Sequence, residues 1–218
     1  MSSRLWHEVD SYITDTLVQP DAALEAALEA SDAAGLPQIN VSPAHGKLLW
    51  MLARLQSARR ILEVGTLGGY STLWLARGLA AGGRLITLEA LEKHAAVARI
   101  NIERAGLSQA VEIRVGQALA TLPMVEGPFD LTFIDADKQH NAEYFSWALK
   151  LSRPGSLIVV DNVVREGAVI DARSRDAAVQ GVRRLNQLIA AERRVAATAI
   201  QTVGAKGYDG FAIALVLE

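Results

Sequence analysis

Acids and an amide stand at the ends of two short apolar runs. Phe129-Asp130-Leu131-Thr132-Phe133-Ile134-Asp135-Ala136-Asp137-Lys138 puts Asp135 directly after one run. Leu157-Ile158-Val159-Val160-Asp161-Asn162 puts Asp161 and Asn162 directly after the other. If both runs are neighbouring strands of a parallel sheet, their carboxyl ends open onto one crevice. Asp135, Asp161 and Asn162 then offer hard oxygen ligands to a common point. Such a set suits Mg²⁺ or another divalent ion such as Mn²⁺ or Ca²⁺, which take oxygen coordination and keep places for water or substrate. Lys138, one turn beyond Asp135, falls within reach of the same point. Each Asp taken alone is accounted for as a strand-end cap. The combination of two acid-bearing strand ends, an adjacent amide and a lysine is what points to a site.

A second constellation lies upstream. Ile61-Leu62-Glu63-Val64-Gly65-Thr66-Leu67-Gly68-Gly69-Tyr70-Ser71 reads as a strand, a tight glycine turn and a helix start. Glycines there let the backbone turn sharply and approach a ligand closely. The spacing is G-x-x-G-G rather than the G-x-G-x-x-G of dinucleotide binders, which argues against a pyrophosphate-bearing cofactor and leaves room for a nucleoside without phosphate. Glu89 closes the next apolar run, Leu85-Ile86-Thr87-Leu88. In a doubly wound sheet an acid at that place accepts hydrogen bonds from ribose hydroxyls. The alternatives are an ordinary strand-to-helix turn for the loop and a helix-capping carboxylate for Glu89. Together the two features favour an adenosine-type ligand at the switch point of the sheet.

The elements that must position these residues follow from hydrophobic rhythm. Candidate strands are Arg60–Val64, Arg84–Leu88, Val111–Val115, Leu131–Ile134 and Ser156–Val160, alternating with helical patterns at Tyr70–Leu79, Leu91–Ala105, Ala118–Leu122 and His140–Leu151. Continuous apolar strands alternating with helices imply βαβ units and a parallel sheet covered on both faces. A last helix near Ser174–Glu192 precedes Val195–Ile200 and Gly210–Leu217, an antiparallel pair that closes the sheet. Upstream, Trp6, Val9, Ile13 and Leu17 recur at helical spacing until Pro20, Asp21 caps a second helix that stops at Gly35, and Ser42-Pro43 opens a third. The reading is a single α/β domain over 1–218: a doubly wound, mostly parallel, Rossmann-like sheet from 58 to 218, with a helical N-terminal extension over 1–57.

Composition excludes several functions. The 218 residues carry 22 basic and 24 acidic side chains, a net charge of −2, which gives no electrostatic reason to expect nucleic acid or a charged membrane surface. No charge-free stretch is long and apolar enough for a membrane span, and the first residues lack an apolar signal core. There is no cysteine, so disulfides and thiolate metal sites are absent. A cytoplasmic protein is expected. His7, His45, His94 and His140 show no ligand spacing and read as surface or helix residues, with His45 the one placed near the glycine loop. Neither a G-x-S-x-G elbow nor a P-loop lysine motif occurs.

From about Leu36 to the C-terminus the chain resembles the class I, S-adenosylmethionine-dependent O-methyltransferases of the divalent-cation-dependent type, the group of catechol and caffeoyl-CoA O-methyltransferases. The carriers are Ile39-Asn40-Val41-Ser42-Pro43, Ile61–Ser71, Leu88-Glu89, Phe129–Lys138 and Val159-Val160-Asp161-Asn162-Val163. The resemblance implies the Rossmann-like methyltransferase fold and methyl transfer to a hydroxyl of a vicinal dihydroxy aromatic. It implies Asp135, Asp161 and Asn162 as metal ligands and Lys138 as general base. It implies Glu89 on the ribose, Gly65, Thr66, Leu67 and Ser71 around the methionine moiety with Val41 and Glu63 flanking it, and Gln117 and Ala118 at the adenine. Asp135 is implied to touch the cofactor's amino group as well as the metal, and the family implies a homodimer. The late loop Val203–Gly210 departs from the animal catechol enzyme, so the acceptor stays open beyond a small aromatic hydroxyl compound. The rival readings are an NAD(P)-dependent oxidoreductase on a similar sheet and a catalytically silent adenosine-binding dimer scaffold.

Overall fold

The computed structural model describes residues 3–19 and 21–218. The apolar runs become parallel strands: β1 (Arg60–Val64), β2 (Arg84–Glu89), β3 (Val111–Val115), β4 (Phe129–Ile134) and β5 (Ser152–Asp161). β6 (Val195–Gly204) and β7 (Gly207–Val216) pair antiparallel with each other, and β7 runs antiparallel to β5. The sheet order is β3-β2-β1-β4-β5-β7-β6. β2 and β3 lie to one side of β1, β4 and β5 to the other. The order therefore reverses between β1 and β4, which leaves a crevice beyond their carboxyl ends.

Helices cover both faces, as continuous apolar strands require. On one face Ile61, Leu85, Leu131, Phe133 and Val159 pack with residues of α2 (Ala22–Ala33), α3 (Pro43–Leu55), α4 (Tyr70–Gly78) and α5 (Glu92–Arg104). On the other, Leu62, Val64, Ile134, Ile158 and Val160 pack with α6 (Ala118–Thr121), α7 (Asn141–Lys150) and α8 (Ala177–Ala191). Every residue of β4 is buried. Alternate residues of one strand thus serve two cores, and the strand ends are fixed from above and below. That rigidity is what a site on the sheet edge needs.

The expected strands and helices are present, most within two residues of the expected bounds, and the differences have local causes. β5 begins at Ser152 rather than Ser156, because Ser152 pairs with Phe129 before a register shift between Phe129 and Leu131. The C-terminal pair extends to a tight turn at Gly204–Gly207. The N-terminal periodicity breaks: α1 (Ser3–Ile13) is followed by a π-turn over Thr14–Val18. Its wider turn rotates the apolar face, so Val18 is buried while Leu17 stays 70% exposed. Pro20, the expected stop, lies outside the described residues. Among the described residues no helix is long and apolar enough to cross a membrane.

Candidate active site

The glycine turn and the acid-bearing strand end meet at the switch point. β1 and β4 are in register from Ile61↔Leu131 to Val64↔Ile134, and the Asp135 amide donates to the Val64 carbonyl at 2.8 Å. Gly65 follows with φ of +98°, and a Cβ there would lie 2.1 Å from the Asp135 carbonyl oxygen. Only glycine fits that approach. Gly69, at φ +84°, takes the N-cap position of α4. The first turn of α4 is fixed from beneath by Glu63, a wholly buried carboxylate that accepts from Ser71 Oγ at 2.6 Å and from Thr72 Oγ1. Burial pushes the Glu63 carboxyl up to about 7 against the lowering effect of those hydroxyls.

Glu89 fixes the same loop from the side. Its Oε2 accepts from the amides of Thr66, at 3.2 Å, and Leu67, at 2.8 Å, while Oε1 accepts from Leu91 N at 2.9 Å. His94 Nδ1 lies 3.4 Å from Oε1. Glu89 thus braces the loop rather than capping a helix, since neither α4 nor α5 has a side-chain cap, and a carboxylate with about four acceptor sites keeps capacity beyond these three amides. Leu67 holds φ +50°, a left-handed conformation fixed by its hydrogen bond to Glu89. Gln117 and Ala118 follow β3, with Gln117 exposed as the N-cap of α6 and Ala118 buried.

The acid cluster is formed by register. Ile134 pairs with Val160, so Asp135 and Asp161 occupy the next positions of adjacent strands. Lys138 Nζ donates to Asp135 Oδ1 at 2.6 Å. Asp161 is 7% exposed, and burial, followed by the charge of Asp135, pushes its carboxyl up to about 7. Its Oδ1 accepts from the Asn162 amide at 2.8 Å. Asn162 itself sits at φ +58°. Two carboxylates at adjacent strand ends beside an amide form a donor set that fits a hard divalent cation.

Asp161 and Asn162 open onto a cavity of about 880 Å³. Val41 and His45 line it on one side, and Arg165, Lys206, Tyr208 and Phe211 line it on others. Residues 65–71 do not line it, so the glycine loop faces a different part of the crevice from this cavity. The cavity wall contains two residues whose part the spacing alone did not disclose. His45, on α3, places Nδ1 3.6 Å from Asp161 Oδ2, with its ring stacked on Phe211 at 5.2 Å. Burial holds its pKa below the usual histidine value, and its Nε2 is buried without a partner. His45 and His94 are helix residues, on α3 and α5, as one of the two expectations had it, but neither is a surface residue: each side chain is only 16% exposed and sits against a site carboxylate.

Asp209, near the start of β7, is the other. Its Oδ1 accepts from the amides of Val164 at 2.9 Å and Arg165 at 3.0 Å, and Val163 N donates to Gly210 O at 3.0 Å. This ties down a segment in which Asn162, Arg165 and Glu166 all have positive φ. The signal in the sequence was Asp209-Gly210 in the late loop, but its partner lies 45 residues away and no local pattern links the two.

A family model described as O-methyltransferase matches residues 15–215. A catechol O-methyltransferase of Niastella koreensis is 55% identical over 99% of this chain and 100% of its own length. The O-methyltransferase from Bacillus cereus, solved in complex with SAH, is 59% identical with a TM-score of 0.97, covering 99% of this chain and all of that one. TomG of Streptomyces achromogenes, an O-methyltransferase involved in tomaymycin synthesis and solved with SAM, is 51% identical with a TM-score of 0.97 over 100% of both chains. The oxidoreductase and silent-scaffold alternatives give way to this similarity. Matches of this extent mean that the chain belongs to the O-methyltransferase family and is a class I, S-adenosylmethionine-dependent O-methyltransferase.

Proposed function

We propose that the enzyme methylates a hydroxyl of a catechol-like, vicinal dihydroxy aromatic and that a divalent cation, Mg²⁺ by preference, assists. The observation that carries this reading is the register of β4 and β5, which brings Asp135 next to Asp161, while Asp161 and Asn162 line a cavity of about 880 Å³. S-adenosylmethionine, when bound, supplies a methyl group already made electrophilic by its sulfonium. Asp135, Asp161 and Asn162 would hold the cation, whose positive charge lowers the pKa of a neighbouring phenol from about 10 toward neutrality.

The chain's own residues do the rest. Lys138 would receive the hydroxyl proton at Nζ, and its position one turn from Asp135 keeps it at the acid cluster. Glu89, while bracing the loop, would accept from the ribose hydroxyls. Gly65, Thr66, Leu67 and Ser71 would surround the methionine moiety, with Val41 and Glu63 flanking it and Gln117 and Ala118 at the adenine. Asp135 would also contact the methionine amino group. Holding donor and acceptor in line supplies much of the acceleration. His45 and Phe211 give the acceptor ring an apolar wall.

The relatives' catechol O-methyltransferase activity supports the acceptor class. We also propose one domain over 1–218, a homodimer and a cytoplasmic location. Leu5, Val9 and Tyr12 on α1, all exposed, support a covered face in a dimer. The test is a methylation assay with S-adenosylmethionine and a panel of catechol, caffeoyl and flavonoid acceptors, with and without chelator. Monomethylated products from vicinal diols, and none from isolated phenols, are expected. Equal methylation of isolated phenols would overturn the diol reading.

A further inference from the structure

The opposite edge of the sheet carries a cleft that methyl transfer does not use. It encloses about 680 Å³ at the amino ends of β1, β2 and β4. Arg59, Arg60, Arg84, Arg114 and Arg153 line it, with Glu112, Glu126 and Asp130. In a chain of net charge −2 this is a concentration of positive charge.

The partners of these groups separate the structural from the uncommitted. Arg114 Nε binds Glu112 Oε1 at 2.7 Å, and Arg153 Nη2 binds Asp130 Oδ1 at 2.6 Å. Asp130 Oδ2 further accepts from the amides of Arg59 and Arg60, at 2.7 and 2.9 Å, so it is committed to holding the strand start. Among the described residues, Arg59, Arg60 and Arg84 have no carboxylate partner. Arg84 Nη1 donates to the Gln109 carbonyl at 2.7 Å, and Arg60 Nη2 donates to the Glu126 carbonyl while its guanidinium lies over the Phe129 ring. Carbonyl anchors orient a guanidinium without neutralising it. Arg60 and Arg84 are, moreover, direct register partners in adjacent strands. Like charges so placed repel and destabilise a sheet. An anion seated between them would relieve that repulsion.

We propose that this cleft is a binding site for a small molecule carrying an oligophosphate group. One carboxylate or one phosphate is satisfied by a single guanidinium fork. Three guanidiniums without a carboxylate partner, two of them oriented by separate carbonyls and all opposed in the lining only by Glu126, match a group that spreads several negative charges along its length.

Isothermal calorimetry with inorganic tripolyphosphate, on the full chain in metal-free buffer of low ionic strength, tests this. Saturable binding is expected, weakening as salt rises. Arg59→Ala and Arg84→Ala should each weaken it by roughly tenfold, the size of one charge-assisted hydrogen bond. The triple variant Arg59→Ala/Arg60→Ala/Arg84→Ala should lose it. Arg84→Ala should keep or raise the melting temperature, since it removes the cross-strand repulsion. S-adenosylmethionine binding should be unchanged in all of them. Monophosphate at equal ionic strength should bind far more weakly, and ATP in a parallel titration shows whether a nucleoside adds affinity to the oligophosphate. The proposal is overturned if wild type shows no saturable tripolyphosphate binding, if the triple variant binds as wild type does, if monophosphate binds equally well, or if saturating S-adenosylmethionine displaces the ligand.

Discussion

Lys138 and Asp135 meet at 2.6 Å, and this short contact ties the proposed base to the proposed metal ligand. Replacing the lysine separates chemistry from binding. Lys138→Ala should lower methyl transfer by about 10²–10⁴-fold, the usual worth of a positioned base, and leave S-adenosylmethionine affinity as it was. Turnover and calorimetry measured on one preparation check both halves. Glu63 makes a different kind of prediction. Its carboxyl is raised from 4.5 to about 7 by burial. Between those values the folded chain binds more protons than the unfolded one, so this group makes stability fall as pH rises through that window. Above about pH 7 the whole cost is present, roughly 3 kcal/mol. Glu63→Gln should flatten that part of the stability curve, and urea unfolding at pH 5 and pH 8 measures it. An unchanged difference between the two pH values would remove Glu63 as its source.

The strands and the glycine turn were legible in the sequence because their signals are local. β1 and β3 fall on the expected residues, since unbroken apolar runs bounded by turn residues have few other solutions. The acids at the ends of β4 and β5 were legible for the same reason: a parallel register makes their positions adjacent once the strands are given. What was hidden depends on contacts far apart in the chain. His45 reads as a helix residue until α3 is packed over Asp161 and Phe211. The π-turn at Thr14–Val18 leaves no pattern distinguishable from an ordinary helical turn. Asp209 acts across 45 residues, and its removal should loosen the segment that presents Asn162. Asp209→Ala leaves two amides without their acceptor, and Mn²⁺ affinity, followed by electron paramagnetic resonance, should drop by about 10–100-fold, as for other groups that orient metal ligands. Asp209→Asn keeps an accepting oxygen and should restore most of that affinity. Equal Mn²⁺ affinity in Asp209→Ala would show that the loop holds itself.

Two helical layers on one continuous sheet, with the site at its switch point, predict that the chain melts as a unit. The helical extension over 1–57 contributes Leu24, Ala27, Leu49 and Ala53 to the same core as β1 and β4, so no separate transition for it is expected in calorimetry. Helix α1, which carries the exposed apolar residues Leu5, Val9 and Tyr12, packs beside β6, whose own residues are almost all exposed. Sedimentation should find a dimer, and Val9→Glu with Tyr12→Glu should shift it to monomer; a wild-type monomer would leave that face without its proposed partner. All of this serves one proposed arrangement, in which neighbouring strands would deliver oxygen ligands to a single cation beside the methyl donor. The most direct measurement titrates Mn²⁺ into chelator-stripped wild type and Asp161→Asn, and follows catechol methylation in the same samples. Wild type should bind one ion and regain turnover with it, while Asp161→Asn should bind S-adenosylmethionine normally and lose both ion and turnover. Full turnover by the stripped enzyme, or undiminished Mn²⁺ binding in Asp161→Asn, would contradict the arrangement.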